Sequence, residues 1–453
     1  MERTTEVLYP SQMRIALISP KGPLYRHRTG IFRKSLRACP LTLSTLASLV
    51  PNELNAEIKV YDEGVEDLPR DVQADLVGMT VITGNAPRSY ELSAEFRRRG
   101  IPVVLGGPHV TLIPDDAEEH ADSLVTGYAE ETWPRLLRDF SAGQMKRRYE
   151  MDPDFSFARI PNLPFPRRDL MNGRQYLTTN TFEATRGCIH KCEFCVVPSA
   201  WGRKPFQKPI EYIVEDIRRT GAKRLIFYDL NIIANRTYAK DLFRALIPLK
   251  IQWFGLSTVL IVKDAELLDL VVKSGCKGLL VGLESISTSS LTSIDKEFND
   301  PASYPELIRT LHDCGIAVNG TFVFGTDADT KDVFDSTIEF VIKNRIDLPR
   351  FSIATPFPNT ALYKRLVAEK RLLTKNWSLY DGQHVVFSPK QMTPEDLLQG
   401  HERVWNSVYS INGILRRLRV RNFDPLLYAA TNLGYRFYAS NLSRFYTCNG
   451  GIA

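Results

Sequence analysis

Residues 180–195 read NTFEATRGCIHKCEFC. NTFEATR (180–186) has the make-up of a short strand, and it runs straight into a loop carrying Cys188, Cys192 and Cys195 with the spacing C-x3-C-x2-C. Three thiolates from one compact loop can hold three irons of a [4Fe–4S] cluster, which leaves the fourth iron without a protein ligand. Such an open iron can take an exogenous chelating group, as a catalytic metal site keeps an open position. A zinc site with His190 or a distant fourth ligand is the competing reading. Zinc ligands usually come as two spaced couples, and no second couple occurs in this chain. Three unrelated core cysteines is the blandest alternative.

Downstream of that loop, apolar segments alternate with helical ones. The strand candidates are 224–230, 252–258, 278–284, 317–325 and 350–356; helical spacing marks 209–220, 236–248, 264–274, 302–314 and 330–344. Six strand–helix units predict a partial (β/α)6 barrel, in which chemistry gathers at the C-terminal strand ends. The cysteines follow the first strand on that rim. Upstream, strands are expected at 13–19, 56–62, 74–83, 101–107 and 123–127, with helices at 41–50, 89–100 and 131–140. Strands apolar throughout and separated by helices indicate a doubly wound, Rossmann-like parallel sheet. Its loops after Thr83, Gly107 and Gly127 would face a ligand.

The fold class is therefore α/β throughout, with expected boundaries of 11–145 for the first sheet, 146–172 for a linker, 173–356 for the barrel and 357–453 for a mostly helical extension. The linker is placed by Pro153, Pro161, Pro164 and Pro166. Helices in the extension are expected near 361–370, 394–411 and 424–441.

Composition bounds the rest. At 453 residues the chain is too long for one ordinary core, and 43 % hydrophobic with 24 % charged residues suits a globular protein. No apolar run is long enough to cross a membrane. The opening residues lack the basic start and apolar centre of a secretory signal. Seven cysteines make no disulfide framework, so a reducing, cytoplasmic location is expected. The net charge of +6 is too small to imply nucleic-acid binding. Most of the excess lies in residues 401–453, which hold seven Arg and no Lys against Glu402 and Asp424. That tail mixes Arg with Trp405, Tyr409, Phe423, Tyr428, Tyr435 and Phe437. It reads as helices packed on the barrel with Arg outward, or as contact with a membrane surface or an anionic or lipid-like substrate.

The cysteine spacing, with Phe194 before the last Cys at the end of a first barrel strand, resembles the radical S-adenosylmethionine superfamily. Tyr228-Asp229-Leu230-Asn231, Gly282-Leu283-Glu284-Ser285, Gly325-Thr326-Asp327 and Thr355-Pro356-Phe357-Pro358-Asn359-Thr360 look like that family's cofactor-binding strand ends. Asn359 stands where relatives have Gly, and Asn tolerates positive φ. The resemblance implies a cluster on Cys188, Cys192 and Cys195, with S-adenosylmethionine held near Phe194, Asp229, Asn231 and Glu284. It also implies reductive cleavage to a 5′-deoxyadenosyl radical, with an electron donor such as flavodoxin or ferredoxin.

Val104-Leu105-Gly106-Gly107-Pro108-His109 and Thr126-Gly127-Tyr128-Ala129-Glu130-Glu131 resemble the cobalamin-binding domain that precedes the barrel in one subgroup. Relatives read closer to GGPH and GEGE, so Tyr128 and Ala129 interrupt the second motif. Thr83, Gly106, Gly107, His109, Gly127 and Glu130 are the cobalamin candidates. Asp-x-His-x-x-Gly is absent, so no lower axial histidine from that motif is expected; His109 and His27 are the remaining neighbours. The resemblance implies a methyltransferase acting on an unactivated carbon of a small-molecule or lipid-like substrate. Cyclisation, ring contraction or oxidation of a tetrapyrrole, lipid or nucleoside is the alternative, and a non-catalytic cobalamin or iron–sulfur carrier or sensor is the reading from another class.

Overall fold

The computed structural model describes residues 12–22, 38–418 and 425–442, with the side chains of 425–427 excepted. Nearly all of the basic loop after Lys21, together with His27, Phe423 and Cys448, lies outside the described residues.

The first unit contains β1 (Arg14–Ser19), α1 (Leu41–Ser48), β2 (Glu57–Asp62), β3 (Leu76–Thr80), α2 (Ala86–Arg98) and β4 (Val103–Gly106). It continues through α3 (Pro108–Leu112), α4 (Pro114–Glu118), β5 (Ser123–Thr126), α5 (Thr132–Ser141) and β6 (Arg148–Glu150). All strands are parallel in the order β2-β1-β3-β4-β5-β6. The order reverses between β1 and β3, which places a ligand crevice beyond the C-terminal ends of the central strands. Apolar strand residues fill both faces: Ala16, Ile18, Val77 and Leu105 pack on one side, and Ile15, Leu17, Leu76 and Val104 on the other. That two-sided burial explains why these strands read as unbroken apolar runs.

The second unit begins with β7 (Thr181–Phe182), β8 (Thr185–Arg186), α6 (Val196–Trp201), β9 (Phe206–Gln207), α7 (Ile210–Thr220), β10 (Arg224–Phe227) and α8 (Arg236–Leu246). It continues with β11 (Gln252–Ser257), α9 (Ala265–Lys273), β12 (Cys276–Glu284), α10 (Thr288–Thr292), α11 (Tyr304–Asp313), β13 (Ala317–Phe324), α12 (Asp332–Lys343) and β14 (Arg350–Ile353). Six parallel strands follow chain order, β7-β10-β11-β12-β13-β14, and β8 with β9 forms a small antiparallel ribbon beside them. The first expected strand is thus split. Phe182 joins the main sheet through β10, and the chain then bends at Glu183 and Ala184 so that β8 pairs with β9.

Two expectations change. Arg148–Glu150, read as linker, pairs with β5 and extends the first sheet. Three residues are too few to show a period of two. The proline-rich stretch is also not a mere spacer. Its Phe155 and Phe157 are fully buried with Tyr128 of the first unit and Phe206 of the second, in a separate aromatic core that joins the two.

The extension holds α13 (Ala361–Ala368), α14 (Pro394–Val408), α15 (Ile411–Arg417) and α16 (Pro425–Ala439). Trp405 and Tyr409 are buried, and Tyr435 and Tyr438 pack against the same core. The arginines do not all point outward. Arg417 is completely buried and donates to the carbonyls of Ile346, Asp347 and Val408. Among the described residues no helix is long and apolar enough to cross a membrane.

Candidate active site at the two strand rims

The cysteine loop leaves β8 at the C-terminal rim of the second sheet. Asp229, completely buried just after β10, accepts hydrogen bonds from the backbone amides of Ala184 (3.1 Å) and Thr185 (2.5 Å). It therefore fixes the bend that launches the loop. Burial pushes Asp229 up to about 7, against the pull of those amides. With both oxygens engaged by backbone, Asp229 acts as a brace beneath the loop. Asn231 is closer to the chemistry: its Nδ2 lies 3.8 Å from Cys188 Sγ, and its buried Oδ1 has no protein partner. Phe194 is half-buried against the core of the second sheet.

Glu284 ends β12 in the left-handed region, at φ 63°, after a bulge between Gly282 and Glu284. Such a conformation costs a non-glycine residue free energy and persists only where surrounding contacts enforce it. Here Lys296 does so: its Nζ lies 2.5 Å from Glu284 Oε1, and Thr321 donates to the other carboxylate oxygen at 3.3 Å. A Cβ on Gly282 would sit 2.5 Å from Glu284 Oε1 and 2.9 Å from Lys296 Nζ, so glycine there makes room for the folded-back pair. Lys296 also faces the cysteines, where its charge partly offsets the burial that raises Cys192. Burial pushes Cys195 up to about 12, so metal binding at this loop must displace protons.

The loop is held from its far side too. Glu193, between two of the cysteines, accepts a two-pronged hydrogen bond from Arg365 of α13 at 2.6 and 2.9 Å, and Arg365 also pairs with Asp327. Leu362 N donates to the carbonyl of Glu193. His190 stacks on Phe298, with ring centres 3.8 Å apart. Asn359 adopts φ 60° and its amide reaches the carbonyl of Leu112 in the first unit at 3.2 Å. Lys296, Arg365 and Arg186 were not visible as site residues in the sequence, because a lone basic residue on a loop or helix carries no spacing signal.

At the rim of the first sheet a cleft of about 290 Å³ opens between the two units. Gly106, Gly107, Gly127 and Glu130 line it from one side, with Thr42, Thr45 and Leu46 of the α1 region; Glu183, Thr185, Arg186, Tyr228 and Leu230 line it from the other. Glycine at 107 and 127 serves the protein's own packing. Gly107 has φ 107°, and a Cβ there would lie 2.8 Å from the carbonyl of Val81; Gly127 has φ 78°, and its Cβ would collide with Met151. Thr83 and His109 are not on the cleft wall. His109 is fully buried among Tyr90 (3.1 Å), Asp116 (3.3 Å) and Thr83 (3.3 Å), beside the ring of Trp377. It contributes to the seam between first unit and extension, and has no free path to a ligand in the cleft.

The residues present fit two cofactors. Among the described residues no three His, Cys, Asp or Glu side chains converge on a single ion position, whereas a cubane takes its thiolates at separate corners. The cleft offers a broad, largely apolar wall with backbone exposed at the strand ends, suited to a wide planar ligand. Together they fit a class: an iron–sulfur enzyme with room for a second cofactor between its two sheets.

Comparison with known proteins gives the same division. Residues 182–341 match the model of the radical SAM superfamily, residues 42–137 that of the B12 binding domain, and residues 360–428 a domain of unknown function, DUF4070. The bacteriochlorophyllide d C-12(1)-methyltransferase of Chlorobaculum tepidum is 30 % identical over 84 % of this chain and 84 % of its own length. The bacteriochlorophyllide d C-8(2)-methyltransferase of the same organism is 30 % identical over 89 % of this chain and 93 % of its own length. Among solved structures, the radical S-adenosylmethionine methyltransferase TsrM of Kitasatospora setae superposes with a TM-score of 0.66 at 17 % identity, covering 95 % of this chain and 98 % of its own. The cobalamin-dependent radical enzyme OxsB gives 0.68 at 15 % identity, over 96 % of this chain and 73 % of its own. This chain belongs to the cobalamin-binding radical S-adenosylmethionine family. It is an enzyme whose cofactors are a [4Fe–4S] cluster, S-adenosylmethionine and cobalamin.

Proposed function

We propose that the protein is a C-methyltransferase that acts on an unactivated carbon of a small, largely apolar substrate. The observation that carries this reading is the cleft. Its walls come from both units, so Thr185, Arg186, Tyr228 and Leu230, which flank the start of the cysteine loop, and the glycine-lined strand ends of the first sheet face one space. When bound, S-adenosylmethionine and cobalamin supply a hydrogen-abstracting radical and a transferable methyl group. In this reading Cys188, Cys192 and Cys195 hold the cluster, and Asn231 and the Glu284–Lys296 pair orient S-adenosylmethionine. Asp229 braces the loop, and Gly106, Gly127 and Glu130 line the cobalamin side. A one-electron donor of the flavodoxin or ferredoxin kind reduces the cluster. Contact of the tail with a lipid surface rests on Ile411, Leu415, Leu433 and Phe437, all exposed, rather than on Arg417.

The C. tepidum relatives are named for methylating bacteriochlorophyllides, which makes a tetrapyrrole the first substrate to try. The test is anaerobic turnover with methyl-deuterated S-adenosylmethionine, hydroxocobalamin, a reductant and a chlorophyllide. The expected result is a chlorophyllide product carrying the deuterated methyl group, formed in step with 5′-deoxyadenosine. A modified chlorophyllide without the label would instead support cyclisation or oxidation.

A further inference from the structure

Arg186 stands two residues before the first cysteine and belongs to both units at once. Its Nη1 donates to Glu130 Oε1 of the first unit at 2.7 Å, and its Nε donates to Glu183 Oε2 at 2.7 Å. Its guanidinium also lies over the rings of Tyr128 (5.0 Å) and Phe157 (5.3 Å), and Lys208 completes the cluster with a 2.9 Å contact to Glu183. Two carboxylates and two cations thus balance in a buried setting, where each charge needs its partner. Gly187 follows directly, at φ 88°, with no room for a Cβ beneath the carbonyl of Lys204 at 2.8 Å. Only that glycine separates Arg186 from Cys188 in the chain.

One buried atom of the cluster lacks a partner, as do Thr185 Oγ1 and Trp201 Nε1 on the same cleft wall. Glu130 is 4 % exposed and lines the cleft, yet its Oε2 has no hydrogen-bond partner. A buried, unpaired carboxylate oxygen is costly unless a donor meets it. The charge is already balanced, so the missing donor should be neutral. Cobalamin carries neutral primary amides around its ring, each offering N–H donors. We propose that Arg186 is a positioning residue that ties the iron–sulfur loop to the cobalamin cleft, and that Glu130 Oε2 accepts a hydrogen bond from an amide on the cobalamin periphery. This rests on the cleft being the cobalamin site.

The experiment uses the full-length, cluster-reconstituted enzyme under anaerobic conditions. Hydroxocobalamin is titrated into the parent and into Glu130→Gln, which keeps a carbonyl for Arg186 but turns an NH2 toward the cleft. The dissociation constant should rise roughly tenfold, the usual consequence of losing one hydrogen bond to a charged acceptor. An unchanged constant overturns the role of Oε2. In the second arm, titanium(III) citrate reduces the cluster and turns the corrinoid into its EPR-silent cobalt(I) form, and the reductant, itself paramagnetic, is removed by anaerobic desalting before freezing so that the cluster signal is read alone. Cobalamin loading should shift that signal in the parent, less in Arg186→Lys, and not at all in Arg186→Met of equal iron content. An equal shift in Arg186→Met, or none in the parent, overturns the coupling. Should Arg186→Met assemble no cluster, Glu130→Gln carries the same comparison, and an undiminished shift there overturns it. A parent that binds no cobalamin refutes the cleft assignment itself, a failure separate from either variant result.

Discussion

The two strand rims are built on opposite plans. On the second sheet, side chains make the site: three thiols project from one loop, braced by Asp229 below, Lys296 and Glu284 beside it and Arg365 behind. On the first sheet a cleft of apolar side chains and glycines takes the place of a ligand loop, and several residues that look most like ligand contacts serve the protein's own packing. Gly107 and Gly127 are glycine because a Cβ would strike Val81 or Met151. His109 is sealed into a seam with Tyr90, Asp116 and Trp377. A rim made of side-chain chemistry should respond to substitution by losing a cofactor outright. A rim made of glycines and apolar walls should respond through stability and affinity.

The sharpest break between the two comes from Cys188→Ala. It should abolish cluster assembly and 5′-deoxyadenosine formation while cobalamin still binds, as read by iron content and corrinoid absorbance. Loss of cobalamin along with iron would show that the rims are not separable in this way. Next in size is Lys296→Met, which leaves Glu284 buried without its cation. Breaking a buried pair in this one-sided manner costs about 3–5 kcal/mol, and chemical denaturation of the cluster-free protein should show it. A change under about 1 kcal/mol would mean the pair is solvated.

The rims also differ in how far the sequence discloses them. C-x3-C-x2-C is legible because three ligands must sit at fixed intervals on one loop, and the apolar runs are legible because both faces of a parallel sheet are buried. Glu284 could be read from its strand end. Lys296, twelve residues later, could not, because its partner is fixed by the left-handed turn at Glu284 and the glycine at 282. Arg186 looked like the end of a strand, and its bond to Glu130 spans 56 residues. Arg365 meets Glu193 across 172. Contacts at such separations leave no local pattern. His109 misled for the converse reason: it adjoins the Gly106-Gly107 turn in sequence, but the helix that begins at Pro108 turns its ring away from the cleft.

Two smaller substitutions sharpen the contrast within and across the rims. Gly127→Ala forces an L-residue to φ 78° against Met151 and should cost about 1–3 kcal/mol. Gly106→Ala, with no such φ and its nearest neighbour at 3.3 Å, should stay within about 1 kcal/mol and act instead on cobalamin affinity. Equal melting temperatures for the two variants would contradict the packing role given to Gly127. Smallest is Asn231→Ala, which removes one weak hydrogen bond to Cys188 and the unpartnered Oδ1 proposed to meet S-adenosylmethionine. It should keep its iron and lower the rate of 5′-deoxyadenosine formation by up to about tenfold. Loss of iron instead would make Asn231 part of the loop's scaffold.

Methyl transfer by this enzyme depends on one chain bringing both cofactors to a shared space. The measurement that decides it is the stoichiometry of iron, sulfide and corrinoid in protein purified anaerobically, supplemented with hydroxocobalamin and passed through gel filtration. Retention of about four irons and one corrinoid per chain, with separable absorption bands for each, is the expected result. A preparation that keeps its iron but releases all corrinoid would leave the cysteine rim as described and contradict the assignment of the glycine-lined cleft.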